Sequence, residues 1–225
     1  MPPSPEPPRI VVLAGTNGAG KSSIGGAALR MAGAEYFNPD EATGRILAAN
    51  PGVSLEDANG AAWQEGRRLL EAAIDTRHDF SFETTLGGQT ITALLERACT
   101  AGIRVFVWYV GLATVDLHLA RVQARVEQGG HDIPEHRLRE RFHTSRANLI
   151  RLMPGLAALR VYDNSREADP SEGVVPEPHL LLHMVDGRIQ TTCDLREAPE
   201  WVKPILTVAI RAGRVDDFLG VRIPY

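Results

Sequence analysis

The chain has 225 residues, 44% of them apolar and 23% charged, with a net charge of −4. That balance is ordinary for a globular protein with one substantial core, and it argues against a general binder of nucleic acid or of anionic membranes. No apolar run approaches the roughly 18 residues that a membrane span needs. The two cysteines, Cys99 and Cys193, fit neither a disulfide framework nor a metal-ligand spacing, which suits a reducing, cytoplasmic setting.

Residues 1–8, "MPPSPEPP", lack the basic and apolar regions of a signal peptide and are expected to form a disordered leader. A first strand, "RIVVLAG" (9–15), runs into "GTNGAGKS" (15–22). This matches the phosphate-binding pattern G-x-x-x-x-G-K-[S/T] in its required place between a strand and a helix. Gly15, Gly18 and Gly20 let the backbone turn its N–H groups inward around an anion, with Thr16, Asn17 and Ala19 between them. Lys21 is one of two lysines in a chain whose other side-chain cations are arginines, the second being Lys203. It is expected to reach the β- and γ-phosphates of ATP, while Ser22, followed by Ser23 in the helix start, offers a hydroxyl to Mg²⁺.

After a second strand, "EYFN" (35–38), the segment "NPDEATGRI" places Asp40 where a carboxylate could orient or deprotonate an acceptor hydroxyl. The same residues also describe an ordinary helix start, with Asn38 as cap, Pro39 at the first position and Asp40 and Glu41 in the first turn. A helix is predicted from Ser54 to Arg77. The third strand, "DFSFE" (79–83), ends on Glu83 and is followed by Thr84 and Thr85. An acid there is costly unless it meets a ligand or a cation, or unless the strand end is solvated. A helix over 90–101 leads to a fourth strand at 103–112, which lacks the aspartate that most P-loop ATPases use to help hold magnesium. Asp40, Glu83 or water would have to supply that function.

Residues 115–150 read as two helices joined by Gly129-Gly130, with Val115, Leu119, Val122 and Val126 in one stripe and Arg121 and Arg125 on a neighbouring face. The second helix begins at Pro134, with Leu138, Phe142, Leu149 and Met153 inward and Arg137, Arg141 and Arg146 elsewhere. This is the composition of a lid that brings cations over a nucleotide, or of a solvated hairpin whose arginines pair with Glu127, Glu135 and Glu140. His118, His131, His136 and His143 lack a zinc-type spacing. A fifth strand follows at 159–165, where Asp163 and Asn164 border the nucleotide base or simply form a turn. Residues 165–178 read as a surface loop, and "HLLLHMVDGRIQ" as a hairpin about its Asp-Gly pair.

The alternation of strands and helices predicts a three-layer α/β/α P-loop NTPase fold. It would hold a mainly parallel five-stranded sheet, a helical lid at about 115–150 and a C-terminal β-hairpin appendage within 166–225, all in one domain from residue 9. The segments "GTNGAGKSS", "FNPDEATGRI", "FSFETTLGG" and the lid from Arg121 to Phe142 resemble zeta toxin-like P-loop kinases of the adenylate-kinase-like group. The resemblance implies ATP-dependent 3′-phosphorylation of UDP-N-acetylglucosamine, with Asp40 as base, Glu83 on the sugar-nucleotide acceptor beside Thr84 and Thr85, and Arg121, Arg125 and Arg141 on ATP phosphates. An antitoxin protein is a partner that it allows. A kinase for another metabolite or an antibiotic, and a nucleotide-gated binding module without turnover, are the alternatives. The acidic balance and sparse aromatics near the arginines disfavour a nucleic-acid kinase.

Overall fold

The computed structural model describes residues 6–26, 36–130, 132–166 and 177–212. The strands are β1 (Arg9–Ala14), β2 (Tyr36–Phe37), β3 (Phe80–Thr84), β4 (Arg104–Gly111), β5 (Ala158–Asp163), β6 (His179–Val185) and β7 (Arg188–Thr192). They form one sheet in the order β2-β3-β1-β4-β5-β6-β7. The first five run parallel, and β6 and β7 are antiparallel to their neighbours.

The five-stranded expectation is therefore corrected to seven strands. The Asp-Gly hairpin does form, with Asp186 and Gly187 at positive φ, but it continues the sheet instead of hanging from it. Its strand β6 buries Leu181, Leu182 and Met184 and covers the edge that β5 would otherwise leave unpaired. The second strand is shorter than expected because Asn38 leaves it to cap the next helix; residue 35 lies outside the described residues.

Six α-helices are described: α1 (Pro39–Ala49), α2 (Leu55–Thr76), α3 (Gln89–Thr100), α4 (Val115–Glu127), α5 (Glu135–Leu152) and α6 (Lys203–Ala212). Local chemistry sets their starts. The Asn38 side chain accepts from the Asp40 and Glu41 amides, Ser54 from Asp57 N and Thr114 from Leu117 N, each meeting N–H groups that the helix cannot pair internally. The buried face of α4 differs from the predicted stripe. It carries His118 and Val122, because the loop before Lys21 offers His118 a carbonyl partner.

Strand parity divides the sheet. Ile10, Val12, Phe80, Phe82, Val105, Val107 and Tyr109 share the main core with residues of α2, α3, α5 and α6, while Leu13 and Val110 pack with Ala19 on the other face. Helix α6 was not foreseen; it buries Ile205, Leu206 and Ala209. Just before it, Trp201 is 3% exposed and fills the space over Gly111, where an added Cβ would stand 2.4 Å from the indole.

The leader expected over 1–8 falls mostly outside the described residues, but the carbonyl of Pro8 accepts from Arg104 N at 2.9 Å, so the chain is tied to the sheet from there. Residues 167–176 of the expected 165–178 loop also lie outside the description. No helix among the described residues is long and apolar enough to cross a membrane.

Candidate active site

The loop after β1 is fixed by its neighbours. Gly15 sits at φ +142, where a Cβ would stand 2.1 Å from the Val110 carbonyl oxygen, and Gly18 at φ +79 lies under the His118 carbonyl. Only glycine fits both. Gly15 N donates to Thr84 O at 3.2 Å, which locks the loop to the end of β3. From the end of β5, Asn164 Nδ2 donates to Ala19 O at 2.9 Å, while Ser165 N donates to Asp163 Oδ1. Asp163-Asn164-Ser165 is thus a turn, and Asn164 also braces the loop.

Lys21 is buried and lies 3.4 Å from Glu83 Oε1. The other carboxylate oxygen of Glu83 accepts from Ser22 Oγ at 2.8 Å, from the Tyr36 hydroxyl at 2.7 Å and from Asn38 Nδ2 at 3.3 Å. A buried carboxylate with one cation and three donors has its desolvation offset. The strand end is not solvated. Glu83 reaches the loop because β3 pairs directly with β1, with Glu83 level with Leu13. An acid therefore stands beside the loop on β3, where β4 carries none. Ser22 Oγ and the Glu83 carboxylate are hard oxygen donors, and one or two of these beside substrate phosphates is the set that Mg²⁺ takes. Those residues fit the ion.

Helices α4 and α5 hold the loop from above. His118 is 1% exposed, and its Nδ1 lies 2.7 Å from Asn17 O. A carbonyl only accepts, so Nδ1 carries the proton. Burial, with Lys21, Arg121 and Arg146 nearby, outweighs that hydrogen bond and pushes the imidazole pKa down to about 4. Arg141 donates from Nη1 to Asn17 Oδ1 at 2.9 Å. Burial first, and the positive Arg137 next, lower the pKa of its guanidinium. Arg125 pairs with Asp40 Oδ2 at 3.3 Å, while its Nε and Nη2 are buried without a hydrogen bond among the described residues. Arg121 reaches the Arg166 carbonyl at 3.5 Å. Of the glutamates expected to neutralise these arginines, Glu135 pairs with Arg139; Arg125 has its acid on α1.

A second network supports the Thr84–Gly88 loop. Ser145 Oγ donates to Thr85 O at 2.6 Å, which leaves it to accept from the Tyr109 hydroxyl at 3.0 Å. Burial pushes Tyr109 up to about 12 and keeps it a neutral donor. Asn148 Nδ2 donates to Leu86 O at 2.9 Å, holding Leu86 at φ +54 with its side chain buried. That is left-handed backbone for a non-glycine residue, a strain of order 1 kcal/mol that the surrounding contacts sustain.

Two cavities meet here. One, of about 370 Å³, is lined by Gly18, Gly20, Lys21, Ser22, Arg121 and Arg125. The other, of about 960 Å³, lies between α2, the Thr84–Gly88 loop and the start of α5. They share Asn17, Pro39, Asp40, Glu83, Thr84 and Thr85. Along the two cavities the structure thus brings together all the residues expected in the site except Gly15, Thr16, Ala19 and Ser23. Thr16 is buried beneath, with Oγ1 donating to Arg141 O at 3.4 Å, Ala19 is packed into the core, and the side chain of Ser23 is outside the description. Sequence reasoning missed Tyr36, the second role of Asn38, and the lining from α2. The "NPD" turn carries a signal for Asn38, since its side chain can cap with the oxygen and still donate with the nitrogen.

The loop and the order of the mostly parallel sheet are those of a P-loop kinase-type α/β fold. The zeta toxin family model matches residues 1–169, and the chain belongs to that family. An uncharacterized protein of Haemophilus influenzae is 31% identical over 139 residues, 60% of this chain and 92% of that one. Among solved structures, a chain of the AvrRxo1-ORF1:-ORF2 complex with ATP superposes with a TM-score of 0.61 at 16% identity, over 96% of this chain and 66% of that one. This chain therefore spans about two thirds of that protein's length. The PezAT chromosomal toxin-antitoxin system of Streptococcus pneumoniae gives a TM-score of 0.52 at 17% identity, over 76% of this chain and 75% of that one.

Proposed function

We propose that this protein is an ATP-dependent kinase that phosphorylates a hydroxyl of a sugar nucleotide, with UDP-N-acetylglucosamine as the favoured acceptor. The observation that carries this reading is the pair of cavities with Asp40 and Glu83 in their common wall. In the smaller cavity the backbone amides from Gly15 to Ser22 and the Lys21 ammonium hold the β- and γ-phosphates. Glu83 keeps Lys21 and Ser22 in place; Ser22 and Glu83 would hold Mg²⁺, which would supply neutralisation of the phosphate charge. Asp40 takes the proton of the acceptor hydroxyl as its oxygen bonds to the γ-phosphorus and the bridge to ADP breaks. Arg121 and Arg125, which line the smaller cavity, and Arg141 meet the charge on the transferring group.

The same reading includes an antitoxin partner, supported by the toxin-antitoxin system among the structural relatives. It also implies a cytoplasmic enzyme, since ATP and sugar nucleotides are held there. The experiment is to incubate the protein with ATP, Mg²⁺ and UDP-N-acetylglucosamine and look by mass spectrometry for a gain of one phosphate. Lys21→Ala should abolish the product, and Asp40→Asn should lower kcat by about 10²–10⁴ with little change in KM. Full activity in Asp40→Asn would remove Asp40 as the base. Transfer to a different acceptor would replace UDP-N-acetylglucosamine, and nucleotide binding without transfer to anything would leave a nucleotide-gated binding module.

A further inference from the structure

The larger cavity is far roomier than one reacting hydroxyl requires, and its α2 wall follows a pattern. Asn59, Trp63 and Arg67 line it at i, i+4 and i+8, which is one face of a helix. Trp63 is 43% exposed, an open indole inside a concavity. Beside it Gly60 has no atom within 4 Å of where a Cβ would stand, so that face is clear. Asn59 Oδ1 is used by Thr43 at 3.0 Å, while its Nδ2 makes no hydrogen bond among the described residues. Arg67 is held in place by Glu71 at 2.7 Å and Gln64 at 3.2 Å.

On the opposite wall, at the start of α5, Arg137 lines the cavity with no hydrogen bond or ion pair from its side chain among the described residues. Its positive charge is felt at Arg141. Five carboxylates, Glu56 and Glu140 among them, also line the cavity, as do the buried rings of Phe37 and Phe82, so it is not a uniformly basic trough but a mixed wall with one exposed aromatic ring, Trp63, and separate cationic points. A flat, electron-rich ring with cations set apart from it suits a ligand that is itself a planar base joined to phosphate.

We infer that Trp63 sets acceptor specificity: its indole takes the face of a heteroaromatic base, and Arg67 and Arg137 meet the phosphates attached to that base. The acceptor is then a nucleotide derivative, and a free sugar, a sugar phosphate or an aminoglycoside is excluded. This rests on the kinase reading for the identity of the cavity as the acceptor site.

The test uses the full chain and two variants, Trp63→Ala and Trp63→Phe, whose melting temperatures should match the wild type because the side chain is exposed. Binding is measured by calorimetry with a non-hydrolysable ATP analogue present, and phosphoryl transfer by mass spectrometry with ATP. The probes that carry a base are UDP-N-acetylglucosamine, GDP-mannose and ADP-ribose; those without one are N-acetylglucosamine 1-phosphate and kanamycin. At least one base-bearing probe should bind in preference to both base-free ones. Trp63→Ala should weaken it about tenfold, the scale of one base–aromatic stack, and Trp63→Phe should keep most of the affinity, with KM for ATP unchanged in both. Equal binding by Trp63→Ala, a base-free probe bound as tightly, or no binding by any probe would overturn the assignment. Base-dependent binding without transfer would remove the kinase reading and leave Trp63 in its role, whereas transfer to a base-free acceptor would do the reverse.

Discussion

At the scale of single residues, two buried ionisable groups set the behaviour of the loop. The Glu83 carboxylate is held by partners from two segments, Lys21 and Ser22 on the loop and Tyr36 and Asn38 at β2, whereas His118 is held neutral by burial. For His118 the pH consequence has a definite sign. Between about 4 and 6.5 the unfolded chain binds a proton that the folded chain refuses, so its contribution is fully present above pH 6.5 and is lost as the pH falls toward 4. The span amounts to at most about 3 kcal/mol. His118→Gln, which can still donate to Asn17 O, should flatten the urea-denaturation stability profile across that window. A profile as steep as the wild type's would show that some other group carries the dependence. Reading the sequence found Lys21, Asp40 and Glu83 because each carries its constraint locally: a glycine spacing, a helix cap, an acid at the end of an apolar strand. It did not find what Glu83 touches, since Ser22 and Tyr36 reach it only through the order of strands.

Among elements, α4 and α5 are packed to each other and to the segment before α6. Phe142 packs edge-on to His118 at 5.6 Å, and the Arg146 guanidinium lies 4.1 Å over the Phe142 ring while donating from Nη1 to Trp201 O at 3.2 Å. The helix starts after Asn38 and Ser54 and the Asp-Gly hairpin turn were legible in the sequence, because caps and tight turns are short-range signals. Which face of α4 turns inward was not, because a histidine scores as polar until its partner is known. Gly111 tests the junction with Trp201. Gly111→Ala should cost about 1–3 kcal/mol, the usual range for overpacking, and the loss should shrink when combined with Trp201→Leu in a double-mutant cycle read by thermal melting. Strict additivity of the two changes would mean that the indole does not sense position 111.

For the molecule as a whole, the segment beyond the family match is part of the fold. Strands β6 and β7, Trp201 and α6 supply core residues and cover β5. A chain ended after residue 176 would expose that edge and empty the space under Trp201, and it is expected to scatter light as aggregate and to lose its near-ultraviolet dichroism. A soluble monomer melting at the wild-type temperature would show the segment to be dispensable. The sequence marked the hairpin by its Asp-Gly pair, but pairing with β5 is a long-range event that no local pattern encodes. The acceptor wall was illegible for a similar reason: Asn59, Trp63 and Arg67 are an unremarkable helix face until the sheet places a concavity in front of them.

The wall common to the two cavities bears on inhibition. On the kinase reading, the donor and acceptor chambers are adjoining rooms whose only partition is six residues, with Asp40 and Glu83 among them. A single compound built as a nucleotide polyphosphate tethered to an acceptor could therefore occupy both at once. The tether turns the second binding event into an intramolecular one, so such a compound would gain affinity by effective concentration over either half alone. The geometry that lets two reactants meet also lets one molecule take both places.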